Sequence, residues 1–215
     1  MMSQVRRLPV YLLIDTSGSM AGEPIEAVRQ GVRALLSDLK GDPQALESAY
    51  LSIITFSSSA KQLVPLTELM TFNEPQFDAG GSTMLGEALK LLERCLDTEV
   101  RKSTATQKGD YRPLVFVMTD GQPTDKWEEA ADRIRARKPA NIIACAAGSA
   151  ADVNMLKRIT ETVVSLSSLK PDDLKAFFKW VSSSIKLKSV PNAAAADPSG
   201  VGALPKLPSN IQMVP

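Results

Sequence analysis

Two short apolar runs that each lead into an aspartate constrain this chain more than any other feature of its sequence. Val10 to Ile14 is closed by Asp15, and Leu114 to Met118 is followed by Thr119 and Asp120. A continuous apolar run of this length, with no polar alternation, describes a strand covered on both faces, and such strands belong to sheets wrapped by helices. Helical stripes follow. Ile25, Val28, Val32, Leu35, Leu36 and Leu39 share one face between Pro24 and Leu39, and Leu85, Ala88, Leu89, Leu92, Cys95 and Leu96 form a second stripe. Pro24 suits a first helical position, and Gly41 with Pro43 reads as the stop of the first helix.

Further strands are expected at Leu51 to Phe56, Lys61 to Leu66, Asn141 to Ala147 and Val163 to Leu166. The polar link from Ser57 to Ala60 predicts a hairpin whose second strand, carrying Pro65, lies at a sheet edge. Asp125 and Glu128 have capping-box spacing ahead of a third helix. Asp152 to Ile159 reads as a short helix, and a last long helix starts near Pro171 with the stripe Leu174, Phe177, Phe178, Val181 and Ile185. The polar stretch from Thr98 to Asp110 reads as a mobile link. The alternation predicts an α/β fold: a doubly wound, mostly parallel six-stranded sheet with one antiparallel edge strand and helices on both faces. Residues 189–215, rich in proline and alanine, read as a flexible or PPII-like tail. The competing reading lays Val201, Leu204, Leu207 and Ile211 in a groove of this protein or a neighbour.

Composition removes whole classes of chemistry. The chain contains no histidine, so imidazole bases and His-ligated metals are excluded. Cys95 and Cys145 stand far apart in apolar stretches and read as core thiols, not as a disulfide framework or a thiolate cluster. With 25 basic and 24 acidic residues there is no global field to collect nucleic acid, and no basic-aromatic interleaving accompanies the few aromatic residues. The apolar stretch near the start is too short for a signal peptide or a membrane span, which predicts a cytoplasmic protein without a membrane partner.

The chemistry gathers at the ends of the two marked strands. In Asp15-Thr16-Ser17-Gly18-Ser19, oxygen side chains alternate and Gly18 permits a tight backbone path. Such folds place their sites outside the carboxyl ends of the strands. A sheet of this kind would bring two further loops to the same rim, Gly80-Gly81-Ser82-Thr83 and Thr119-Asp120-Gly121. Asp15, Ser17, Ser19, Thr83 and Asp120 would then offer three hydroxyls and two carboxylates, a donor set for a hard cation.

Val10 to Gly22, Gly80 to Gly86 and Val115 to Asp120 together resemble the metal-ion-dependent adhesion site of von Willebrand factor type A domains, and the resemblance spans residues 8–188. It implies that Ser17, Ser19 and Thr83 ligate a divalent cation directly, while Asp15 and Asp120 act through waters or orient the serines. Mg2+ is the cation implied, with Mn2+ or Ca2+ as substitutes. It further implies a binding module, not an enzyme, in which a partner's Asp or Glu completes the metal shell past a rim of Met20, Met84, Gly121, Gln122 and Pro123. A narrower resemblance links RRLPVYLLIDTSGSMAGEPIEAV, GGSTMLGEAL and VFVMTDGQPTD to the bacterial tellurium-resistance Y group, which implies an adaptor in stress signalling with kinase or phosphatase partners.

Two other readings start from the same residues. Asp15 could attack phosphorus as a metal-dependent phosphatase or phosphotransferase, but the position two residues on, where a proton donor is wanted, holds Ser17, and no P-loop is present. A structural scaffold would keep the fold with no metal-dependent role.

Overall fold

A computed structural model describes residues 6–190 and 204–215. Its strands are β1 (Leu8–Asp15), β2 (Ala49–Phe56), β3 (Ala60–Glu68), β4 (Leu114–Thr119), β5 (Asn141–Ala147), β6 (Thr162–Leu166) and β7 (Ile211–Met213). The helices are α1 (Glu23–Lys40), α2 (Pro43–Ser48), α3 (Leu85–Glu99), α4 (Glu128–Arg137), α5 (Val153–Ile159) and α6 (Pro171–Ser189). The strands form one sheet in the order β3-β2-β1-β4-β5-β6-β7. The five inner strands run parallel, and β3 and β7 close the two edges antiparallel.

All eight residues of β1 are buried because both faces of the sheet are covered. Successive side chains point to opposite faces, so Leu8, Val10, Leu12 and Ile14 pack toward α1 and α6, while Tyr11 and Leu13 pack toward α3, α4 and α5. Gly31 on α1 lets α6 approach closely: a Cβ at that position would fall 2.2 Å from the Phe178 ring. Cys95 and Cys145 are free, buried thiols.

Four expectations are corrected. The sheet has seven strands, not six, because the tail supplies β7: Ile211 is buried and Leu204 and Leu207 pack on the core, whereas Val201 lies outside the described residues. Pro43 does not merely stop α1; Asp42 caps a new helix, accepting the N–H groups of Gln44 and Ala45 at 3.1 and 2.9 Å, and Pro43 sits in its first turn. Asp125 does not cap α4. Its carboxylate accepts the N–H groups of Gly86 and Glu87 at 3.0 and 2.9 Å, which closes the first turn of α3 instead. The link after α3 is tied down, since Arg7 pairs with Asp110 at 2.6 Å and Arg6 donates to the carbonyls of Gly109 and Asp110. No helix among the described residues is long and apolar enough to cross a membrane.

Candidate metal centre

Neighbouring parallel strands carry the two aspartates to one rim. Ile14 of β1 stands opposite Met118 of β4, so Asp15 and Asp120 leave the sheet on the same side, one and two residues further on. Asp15 is fully buried and both its oxygens are engaged: Oδ1 accepts the Ser17 N–H at 2.8 Å, and Oδ2 accepts the Thr119 hydroxyl at 2.5 Å. The chain then makes a single 3₁₀ turn over Gly18–Met20, with the Met20 N–H donating to the Ser17 carbonyl at 3.0 Å. That turn sets the Ser17 and Ser19 hydroxyl oxygens 3.1 Å apart, and Ser19 donates to Asp120 Oδ1 at 2.8 Å.

The glycine loop is lashed to this turn by backbone bonds. Gly18 N–H donates to the Gly81 carbonyl at 3.0 Å, and Gly80 N–H to the Thr16 carbonyl at 2.8 Å. Gly81 has φ +85° and lies so close to Ser58 that a Cβ would meet its Oγ at 2.2 Å, so only glycine suits the position. Thr83 is held from the β4 side: its N–H donates to Thr124 Oγ1 at 3.1 Å and its carbonyl accepts the Thr124 N–H at 2.9 Å. Its hydroxyl oxygen lies 3.8 Å from the place a Cβ on Gly121 would take, beside Asp120. The structure thus gathers Asp15, Ser17, Ser19, Thr83 and Asp120 at one rim, with Ser19 exposed and the other four buried.

Burial raises the Asp15 carboxyl above its usual range, against the bonds from Ser17 and Thr119, and the charge of Asp120 pushes it further. Asp120 is also raised by burial, opposed by the Ser19 hydroxyl. No cationic side chain is among the groups that set either value. Among the described residues, no cationic side chain thus offsets the burial of these two carboxyls at a partly desolvated rim. Among the described residues no three Asp, Glu, Cys or His side chains come together, so a cation here would depend on hydroxyl oxygens as well.

One rim residue was misplaced by sequence reasoning. Met20 is fully buried in the core beneath α1, because the 3₁₀ turn rotates it inward as it turns Ser19 out. Met84, Gly121 and Pro123 are half-buried and Gln122 is exposed. Thr119 and Thr124 were missed as supporting residues. A hydroxyl ending the buried run of β4 was a readable signal for Thr119, whereas Thr124 carries none.

A doubly wound domain with an all-oxygen Asp-x-Ser-x-Ser cluster at the carboxyl ends of its strands is the class these features define. The sequence profile of the von Willebrand factor type A domain matches residues 10–189, and the chain belongs to that family. A curated relative, the E3 ubiquitin-protein ligase WAVH1 of Arabidopsis thaliana, is 33% identical over 151 residues, covering 60% of this chain and 20% of the ligase. Among solved structures, the pilus adhesin SpaC of Lactobacillus rhamnosus GG in an open conformation aligns with TM-score 0.67 at 16% identity, over 86% of this chain and 31% of that one. Proximal thread matrix protein 1 of the mussel byssus, in a structure with zinc in its MIDAS motif, aligns with TM-score 0.59 at 20% identity, over 83% of this chain and 48% of that one. The chain thus spans less than half the length of each of these three proteins.

Proposed function

We propose that this domain is a divalent-metal-dependent protein-binding module, with Ser17, Ser19 and Thr83 as direct ligands and Asp15 and Asp120 as the carboxylates that orient them and supply charge. The observation that carries this reading is the 3.1 Å separation of the Ser17 and Ser19 hydroxyl oxygens. Adjacent ligands of an octahedral cation with bonds of about 2.1 Å stand about 3.0 Å apart, so the pair is spaced as one edge of such a shell. All-oxygen, largely neutral donors favour Mg2+ or Mn2+ over zinc, which prefers nitrogen and sulfur.

A bound divalent cation would supply a Lewis-acid position open to an external oxygen. The chain's own part is to hold the serines. Asp15 fixes the Ser17 backbone, Asp120 accepts a hydrogen bond from the Ser19 hydroxyl, and Gly80 and Gly81 lock the loop from the side. Neutral ligands leave most of the cation's charge unmet, so the acceptor favoured from outside is a carboxylate, an Asp or Glu on a partner protein. Met84, Gly121, Gln122 and Pro123 would border its approach.

The phosphatase reading is disfavoured by Asp15 itself. A nucleophile must present an oxygen to its substrate, and both oxygens of this buried carboxylate already accept hydrogen bonds. An adaptor role in a bacterial stress or tellurite-resistance system, in the cytoplasm and with a kinase or phosphatase as partner, is the finer form of the proposal and rests on the loop sequences alone.

Affinity capture from a cell lysate with and without chelator tests the reading. Partners should be retained by the wild type with Mg2+ and lost on chelation or in Ser17→Ala. Retention unchanged by both would leave the scaffold reading standing.

A further inference from the structure

The end of the sheet remote from the oxygen cluster holds a cavity. The amino ends of β5 and β6, with the last turn of α4, border a space of about 120 Å³. A water takes up about 30 Å³ of the liquid, so this space has room for roughly four waters or for a small molecule in their place. Its lining is divided. Ile134, Ala140, Ile142 and Ile159, members of the core cluster beneath α3, α4 and α5, give an apolar wall. Arg112, Arg135 and Lys138 bring three cations, against Glu161 as the one acid on the lining.

Polar groups on this lining are left uncommitted. Asn141 is 8% exposed and Thr162 5%, yet neither the Asn141 amide nor the Thr162 hydroxyl makes a hydrogen bond among the described residues. No side-chain nitrogen or oxygen among those residues is cut off from both protein and solvent. Both groups must therefore reach solvent, and the cavity is the opening they share. Arg135 meets Glu161 at 3.6 Å, whereas Lys138 has no ion pair among the described residues. Arg112 donates to the Lys138 carbonyl at 2.8 Å, which holds its guanidinium beside the same turn.

Cations in the last turn of a helix are ordinary, because they offset its dipole. Lys138 is not one of these. It follows α4 at φ +45°, the one non-glycine residue with positive φ among the described residues. Glycine fills such a position with the least strain, so a charge stands at the cavity where a less strained residue would fit.

We infer that this cavity binds a small phosphate monoester. Three cations less one acid leave two positive charges, which match the near-dianionic charge of such a group at neutral pH. The phosphate lies against Lys138, Arg112 and Arg135, with the Asn141 amide and the Thr162 hydroxyl as further donors, and a short apolar body rests on Ile134, Ala140, Ile142 and Ile159. The site stands at the opposite ends of the strands from the oxygen cluster and needs no metal.

The test follows amide chemical shifts of the full chain, stripped of metal so that phosphate has no cation to meet elsewhere, during titration with inorganic phosphate, butyl phosphate and butyrate. Saturable shifts are expected at residues 140–142 and 159–162. Each buried methylene is worth about fourfold in affinity, so butyl phosphate should bind at least about tenfold more tightly than inorganic phosphate, and also more tightly than butyrate. Lys138→Gly relaxes the backbone as it removes the charge. It should melt no lower than wild type and bind butyl phosphate at least about threefold more weakly. Lys138→Asn, which also tolerates this φ, should show the same loss. No saturable shift at these amides, equal affinity for inorganic and butyl phosphate, or unweakened binding by both variants would overturn the proposal.

Discussion

Thr119 donates its hydroxyl proton to Asp15 Oδ2 across 2.5 Å, joining the end of β4 to the end of β1 beneath the oxygen cluster. Because Asp15 in turn fixes the backbone of Ser17, this one contact sets the floor of the candidate site. Thr119→Val keeps the side-chain shape and removes the donor, leaving a buried carboxylate oxygen unsatisfied. Urea denaturation should show a loss of about 1–3 kcal/mol, and metal affinity should fall with it; stability equal to wild type would show that the contact is dispensable.

Asp125 belongs to α3 although it precedes α4 in sequence. Asp125→Ala removes the acceptor for two N–H groups of α3's first turn. The expected cost in chemical denaturation is about 1 kcal/mol, within the range for lost helix caps. Amide exchange that quickened in α4 and was unchanged in the first turn of α3 would reverse the assignment.

How much of this was legible in the sequence depends on whether a residue acts on its neighbours or at a distance. The runs ending at Asp15 and Asp120 were readable because a strand buried on both faces has no polar alternation; Asp15, Ser17, Ser19 and Asp120 followed from where such strands end, whereas Thr83, on the glycine loop ahead of α3, entered through the resemblance of that loop to the family pattern. Asp125 shows the limit. Its spacing to Glu128 satisfies a local rule, yet the partners it meets are Gly86 and Glu87, which only the packed fold brings near. Met20 lies beside exposed Ser19, and a single 3₁₀ turn decides that one faces inward and the other out. β7 has no period to detect: Ile211, Gln212 and Met213 become a strand only because β6 offers an edge. Asp42 before Pro43 carries a helix-start signal, but in sequence the proline reads equally as the stop of the helix before it.

The α1/α6 contact predicts a steric effect. In Gly31→Ala the new methyl would meet the Phe178 ring at 2.2 Å, a distance at which either the ring or α6 itself must move. Overpacking of this kind costs about 1–3 kcal/mol, so thermal melting should occur at a lower temperature than in wild type. An unchanged melting temperature would mean that the ring has room to turn aside.

Asp38 links the same two helices, accepting from Lys186 at 2.5 Å and from the Ser182 hydroxyl. The lysine first and the serine second hold its carboxyl below the usual range. A depressed folded value means that the contribution to stability is present at neutral pH and fades as the pH drops from about 3.9, the unfolded value, through the lower folded one. Because the pair is half exposed, its worth is about 0.5–1 kcal/mol. Asp38→Asn should be less stable than wild type at pH 7 by that amount and converge with it under acid, as followed by denaturant midpoints across pH; a gap that persisted unchanged into strong acid would contradict the ion-pair origin.

Calorimetric titration of the metal-stripped chain with Mg2+ and Mn2+, run on wild type, Ser19→Ala and Thr83→Ala, tests the central claim most directly. The account predicts one saturable site per chain in wild type, weakened at least about tenfold by either substitution, as expected where a ligand or its fixed orientation is lost. No saturable binding in wild type, or equal affinity in all three proteins, would contradict it.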